Sequence, residues 1–162
     1  MKVLQMFFCV ILLCVTSVLV EAKSTTKGDE TASKRNFAQF AAMTYHTTHR
    51  WPKKYVGYGC YCGLGGYGIP VDPIDECCKT HDACYKKVED SGICSYSWAI
   101  YLTIYKRKGG AECSEDNEKC QMEVCKCDSV AAKCLGKYKD IFNEKYAGYD
   151  KKGKCDPSFT LS

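Results

Sequence analysis

The sequence predicts a mainly α, disulfide-rich domain. Two long antiparallel helices are cross-linked by disulfides, with an N-terminal helix, a glycine-rich loop and a small β-hairpin around them. Three observations carry this prediction. Cys77, His81 and Cys84 stand at i, i+4 and i+7, and Cys127, Ala131 and Cys134 repeat the interval, so each set shares one helix face. Pairing Cys77 with Cys134 and Cys84 with Cys127 gives the same positional sum, 211, as two antiparallel helices stapled at two levels require. Of the 14 cysteines, Cys9 and Cys14 fall in an apolar leader, and the twelve that remain suit six disulfides.

That leader, residues 1–22, reads as a signal peptide. Lys2 supplies the charged start, Val3 to Val20 the apolar run, and Val20-Glu21-Ala22 a small-residue cleavage site. Secretion places the cysteines in an oxidising compartment, where pairing is favoured over zinc, and paired CxxC knuckles are absent. Residues 23–35 are polar, lack apolar periodicity and end in the dibasic Lys34-Arg35, the mark of a propeptide. Residues 36–162 then form one domain, whose modest core is supplemented by disulfides. From Asn36 onward 18 Lys and Arg face 16 Asp and Glu, a net charge of +2 that points away from nucleic acid.

Asn36 to about His49 forms an amphipathic helix with Phe37, Phe40, Ala41 and Tyr45. Arg50 to Tyr58 follows as a loop, with Trp51 and Tyr55 at or near the surface. Gly57 to Gly68 holds too many glycines for a helix or central strand. Asp72 or Asp75 caps the next helix, which runs to about Glu89 and stops before Ser91-Gly92. Tyr96 to Tyr105 is rich in β-formers and Lys106 to Gly110 reads as a turn, which together suggest the hairpin. The second long helix starts near Ser114 to Asn117, where Glu115, Asp116 and Glu118 suit its positive end, and stops about Leu135-Gly136. The tail is irregular and tied down by Cys155.

The chemistry concentrates in two places. His81 lies between the staples, beside Asp82 and facing the stretch that carries Asp128, a setting for a general base. The loop Tyr61-Cys62-Gly63-Leu64-Gly65-Gly66 lacks the Lys-Ser/Thr of a phosphate-binding loop and the spaced carboxylates of an EF-hand. A glycine-rich loop can, however, aim several carbonyls at one point. With Asp82 added the set is hard and all-oxygen, which suits calcium better than zinc. A Cys62–Cys78 bond would bolt the loop beside the His81 helix.

Three segments carry a family resemblance: Tyr58-Gly-Cys-Tyr-Cys-Gly-Leu-Gly-Gly66, Asp75-Glu-Cys-Cys-Lys-Thr-His-Asp-Ala-Cys-Tyr85 and Val124-Cys-Lys-Cys-Asp128. With them the chain resembles the secreted, calcium-dependent phospholipases A2 of the pancreatic and elapid type, over nearly all of Asn36 to Cys155. The resemblance implies a Ca2+ site made by the carbonyls of Tyr61, Gly63 and Gly65 and both carboxylate oxygens of Asp82. It implies His81 as general base, Asp128 orienting it, and Tyr85 in the supporting network, joined by either Tyr101 or Tyr105. The implied disulfides are Cys60–Cys155, Cys62–Cys78, Cys77–Cys134, Cys84–Cys127, Cys94–Cys120 and Cys113–Cys125. One further disulfide of that type, from the first helix to the hairpin, is missing at both ends; His46 stands at its first-helix position.

The implied reaction is hydrolysis of the sn-2 ester of membrane glycerophospholipids by a secreted, zymogen-derived, monomeric enzyme. His81 would activate water, calcium would hold the phosphate and polarise the carbonyl, and the Gly63 N–H would complete the oxyanion site. The partner is a phospholipid membrane surface, met by Phe37, Ala38, Trp51, Leu64, Tyr67 and Ile69, with Lys53 and Lys54 for phosphates. The reading of Phe37 and Ile69 as core residues stands beside this. The alternative function is a catalytically weak toxin or receptor-binding protein on the same scaffold, against which Asp82 and the intact glycine loop argue. A purely structural disulfide module leaves His81, Asp82 and Asp128 without a purpose.

Overall fold

A computed structural model describes residues 36–155. The signal-peptide and propeptide readings, residues 1–22 and 23–35, lie outside the described residues. Helix α1 covers 36–48. Helices α2 (Pro73–Asp90) and α3 (Lys119–Lys137) form the antiparallel pair, and one turn of helix, α4 (Lys151–Lys154), lies near the end. Strands β1 (Arg107–Gly109) and β2 (Glu112–Cys113) make a short antiparallel hairpin with an irregular register.

The helix ends follow from local chemistry. Asp72 caps α2 by accepting the N–H of Asp75 at 2.9 Å, with Pro73 in the first turn, where a missing N–H costs nothing. Asp75 is therefore not the cap. Glu118 and Gln121 close a reciprocal capping box on α3. All six expected disulfides are present, and Cys77–Cys134 and Cys84–Cys127 staple α2 to α3 on either side of His81. Each bridge is worth about 2–4 kcal/mol, a large supplement for a core of this size.

The core has two halves. Met43, Val88, Ile100, Tyr105 and Val124 fill one, and Tyr55, Tyr58, Ile74 and Leu135 fill the other; Phe40 packs against both. Tyr55 corrects an expectation, being only 5% exposed. The 3-10 turn Pro52–Tyr55 rotates it inward, and Phe142 from the tail covers it edge-on at 5.4 Å.

The hairpin forms one segment later than expected. Residues of the anticipated turn, Arg107–Gly109, are strand β1, and much of the β-forming stretch is a 3-10 helix, Ser97–Tyr101. Side chains of α1 take the place of a partner strand there. Asn36 Nδ2 donates to the carbonyls of Ile100 and Thr103 at 3.3 and 2.7 Å, and the Gln39 amide pairs with both the N–H and C=O of Tyr105. Tertiary partners thus override β-propensity. His46 packs on the hairpin turn, where a Cβ at Gly110 would lie 2.6 Å from its Nε2. Its ring bridges α1 to the hairpin where the missing disulfide would have done so.

Candidate active site

His81 sits mid-helix on α2 and Asp128 on the facing side of α3. His81 Nε2 donates to Asp128 Oδ1 at 2.7 Å, and the Asp128 side chain is fully buried. A carboxylate can only accept, so this bond fixes the proton on Nε2 and leaves the lone pair on Nδ1. The carboxylate gains two further donors: Tyr85 at 2.9 Å on Oδ1 and Tyr105 at 2.5 Å on Oδ2. Burial, followed by the Asp128 charge, pushes both phenols well above their ordinary pKa, so they remain donors at any physiological pH. Three donors on one buried carboxylate offset the cost of burying its charge.

The structure selects Tyr105 and not Tyr101 as the second network tyrosine. Tyr101 is 51% exposed and meets the ring of Tyr85 at 5.7 Å. Tyr105→Phe keeps the ring and deletes the donor, so we expect a stability loss of about 1.5–3 kcal/mol in urea unfolding. An unchanged midpoint would mean that Asp128 does not need its third partner.

Three residues at the site were not assigned to it by the sequence. Phe40 stacks on the His81 ring at 4.5 Å and 20°, and the Tyr85 ring meets it tilted at 4.6 Å, so two aromatic rings restrain the imidazole. Asn36 is 6% exposed and its Oδ1 lies 3.4 Å from the Tyr85 hydroxyl. Gln39 anchors the backbone of Tyr105. The helical spacing of Asn36, Gln39 and Phe40 was a legible signal, because i, i+3 and i+4 share a face.

The glycine loop lies beside this pair. Helix α2 places Asp82 next to His81, and a Cβ at Gly66 would come within 2.5 Å of the Tyr61 ring and 3.0 Å of Asp82 Oδ2. Only glycine allows the loop to close on that carboxylate. The Asp82 side chain takes no hydrogen bond from a described residue. It keeps an exposed flank, yet burial of the remainder raises its pKa, against the pull of His81 and Lys151. Within Tyr61 to Gly66, the carbonyl of Cys62 accepts from Gly57 N–H at 2.8 Å and that of Leu64 from Lys151 Nζ at 3.3 Å, while those of Tyr61, Gly63, Gly65 and Gly66 accept from no described residue. The three oxygens expected as ligands are among the free ones, and together with Asp82 they fit a hard cation such as calcium. Among the described residues no three His, Cys, Asp or Glu side chains group as a metal site. A cation here would depend on main-chain oxygen.

Phe37, Trp51, Leu64, Tyr67 and Ile69 are exposed by 58, 76, 96, 40 and 75%. The core reading of Phe37 and Ile69 is thereby overturned. Lys54 pairs with Glu144 at 3.1 Å, both on the surface, which leaves Lys53 as the freer of the two lysines expected to meet phosphate.

Residues 37–147 match the family model described as Phospholipase A2. Curated relatives agree in kind. The chain is 42% identical over 128 residues to "Phospholipase A2, membrane associated" of Mus musculus, covering 74% of this chain and 86% of the relative. It is 42% identical over 103 residues to "Basic phospholipase A2" of Micrurus corallinus, covering 63% and 70%. It is 41% identical over 124 residues to "Acidic phospholipase A2 PLA-2" of Eristicophis macmahoni, covering 76% and 98%.

Proposed function

The chain belongs to the phospholipase A2 family and is a phospholipase A2 enzyme, and on that premise we propose calcium-dependent hydrolysis of the sn-2 ester of membrane glycerophospholipids, releasing a fatty acid and a lysophospholipid. The observation that carries this reading is the His81–Asp128 pair, fixed at 2.7 Å beside a loop whose carbonyls at Tyr61, Gly63 and Gly65 have no donors among the described residues. Calcium held by those carbonyls and Asp82 would supply positive charge that binds the substrate phosphate and polarises the ester carbonyl.

The chain's own residues supply the rest. His81 Nδ1 takes a proton from water as the water oxygen attacks the ester carbon, and the same proton passes to the departing alkoxide. Asp128 stabilises the imidazolium, and the Tyr85 and Tyr105 hydroxyls hold the carboxylate in place while the charge changes. The N–H of Gly63 donates to no described residue and is available to the developing oxyanion. Phe40 and Tyr85 keep the ring from turning away. Phe37, Ala38, Trp51, Leu64, Tyr67 and Ile69 would rest on the lipid surface as a peripheral contact. Among the described residues no helix is long and apolar enough to cross a membrane. Six disulfides fit an extracellular setting, and a leader over residues 1–22 would route the chain there.

The test is release of fatty acid from mixed phospholipid vesicles, with calcium and with a chelator. We expect release at the sn-2 position in calcium and at least a hundredfold less in chelator. Full release in chelator would remove calcium from the mechanism. No release in either condition would leave the weak-toxin or receptor-binding alternative.

A second expectation concerns activation. Asn36, the proposed mature start, is buried against the Ile100–Thr103 carbonyls and near Tyr85. A charged extension on Asn36 would keep the exposed Phe37 and Ala38 from seating on lipid, so cleavage after Arg35 should raise activity on vesicles severalfold or more, with a smaller effect on monomeric substrate. Trypsin-limited cleavage with N-terminal sequencing and both assays decides it. Equal vesicle activity before and after cleavage would leave residues 23–35 a dispensable tail.

A further inference from the structure

Asp75 is fully buried and stands outside the catalytic pair. It was expected as a possible helix cap, but Asp72 holds that place, and the Asp75 carboxylate turns instead toward the glycine loop. It accepts three main-chain N–H groups: Cys60 at 2.7 Å, Tyr61 at 2.7 Å and Val71 at 3.0 Å. Cys60 and Tyr61 begin the loop and Val71 ends it, so one carboxylate clasps both ends. The backbone comes so close that a Cβ on Gly59 would lie 2.4 Å from the Asp75 carboxyl carbon. Among the described residues no cationic side chain pairs with Asp75. Its charge is offset by loop amides alone, a strong bonding arrangement in a dry setting.

The clasp has a directional consequence. In a trans peptide the C=O of one residue points opposite to the N–H of the next. Asp75 holds the peptide before Tyr61 through the Tyr61 N–H, and the Cys62 N–H is held by the Tyr58 carbonyl at 3.2 Å, so the Tyr61 C=O is turned away from the Tyr58 side. That oxygen is thus aimed before any cation arrives.

We propose that Asp75 is the positioning residue of the metal loop: it preorganises the carbonyls of Tyr61, Gly63 and Gly65, so that a divalent cation binds without first ordering the backbone. This rests on the calcium reading of the loop. Preorganisation raises affinity by removing the entropy cost of ordering at the moment of binding. Asp75 does not touch the cation or the reacting atoms; it acts through the backbone.

Calorimetry with calcium on the wild-type chain and on Asp75→Asn tests the proposal. We expect calcium to bind Asp75→Asn at least tenfold more weakly, while saturating calcium restores turnover with an unchanged pH profile. A merely structural role would lower Tm but leave the calcium affinity of the folded protein alone, so affinity within twofold of wild type overturns the proposal. A wild-type chain that binds no calcium would overturn the calcium reading itself and the proposal with it, a result distinct from the first. Hydrogen exchange on the wild type gives a reading independent of whether the variant folds. The Cys60, Tyr61 and Val71 amides should be protected before calcium is added, and protection that appears only with calcium would overturn preorganisation.

Discussion

His81→Gln should abolish hydrolysis while leaving the fold and calcium binding largely intact. Glutamine can present an amide N–H to Asp128, but it has no nitrogen lone pair of useful basicity for water. Loss of a general base costs roughly 100- to 10,000-fold in rate, the range such groups supply. The staples at Cys77–Cys134 and Cys84–Cys127 lie on both sides of position 81 and hold the helix pair whatever the side chain. The contact with Phe40 at 4.5 Å is the main packing lost, so a small drop in Tm is expected. Calcium affinity by calorimetry should match wild type, because His81 is not among the oxygen donors of the loop. A purified, folded variant with near wild-type turnover would show that another group takes the proton.

The parts of the site legible in the sequence were those fixed by covalent or helical periodicity. Cys77, His81 and Cys84 share a face because 3.6 residues make a turn, and the staples then force Asp128 opposite His81. The first fact is local, and the second is covalent, joining positions 57 and 43 residues apart, so cysteine spacing alone expresses it. Tyr105 was one of two equal options, because its place depends on how the stretch after Cys94 folds across α1. That stretch carries β-formers but is bonded by Asn36 and Gln39, more than 60 residues earlier in the chain. No short-range pattern encodes such a partner. Tyr55 failed for the same reason, since Phe142 in the tail decides its burial. Asp75 shows a further limit. An acidic residue in the first turn of a helix fits a capping or dipole role, and only the inward fold of the glycine loop reveals that its carboxylate faces elsewhere.

Asp82→Asn should eliminate calcium-dependent activity by removing the side-chain ligand of the proposed, otherwise carbonyl, calcium site. Asparagine keeps the shape and one neutral oxygen but loses the charge and one of two acceptor oxygens. The carbonyls of Tyr61, Gly63 and Gly65 alone would then face a hard divalent ion, which favours anionic oxygen. Calorimetry should show no calcium binding at concentrations that saturate wild type. Stability without calcium should move the other way. Asp82 takes no hydrogen bond from a described residue, and its burial raises its pKa. A raised carboxyl pKa means that the folded chain holds the proton more tightly than the unfolded chain. Ionised Asp82 therefore opposes folding above the raised pKa, and the penalty vanishes below the unfolded value. At neutral pH in chelator, Asp82→Asn should melt at or slightly above wild type, more so if Asp75 keeps the loop closed around it. Calcium at 100 times its dissociation constant should stabilise wild type by about 2.7 kcal/mol and leave the variant unmoved. Unchanged affinity in the variant would place the metal elsewhere and reduce the glycine loop to a turn.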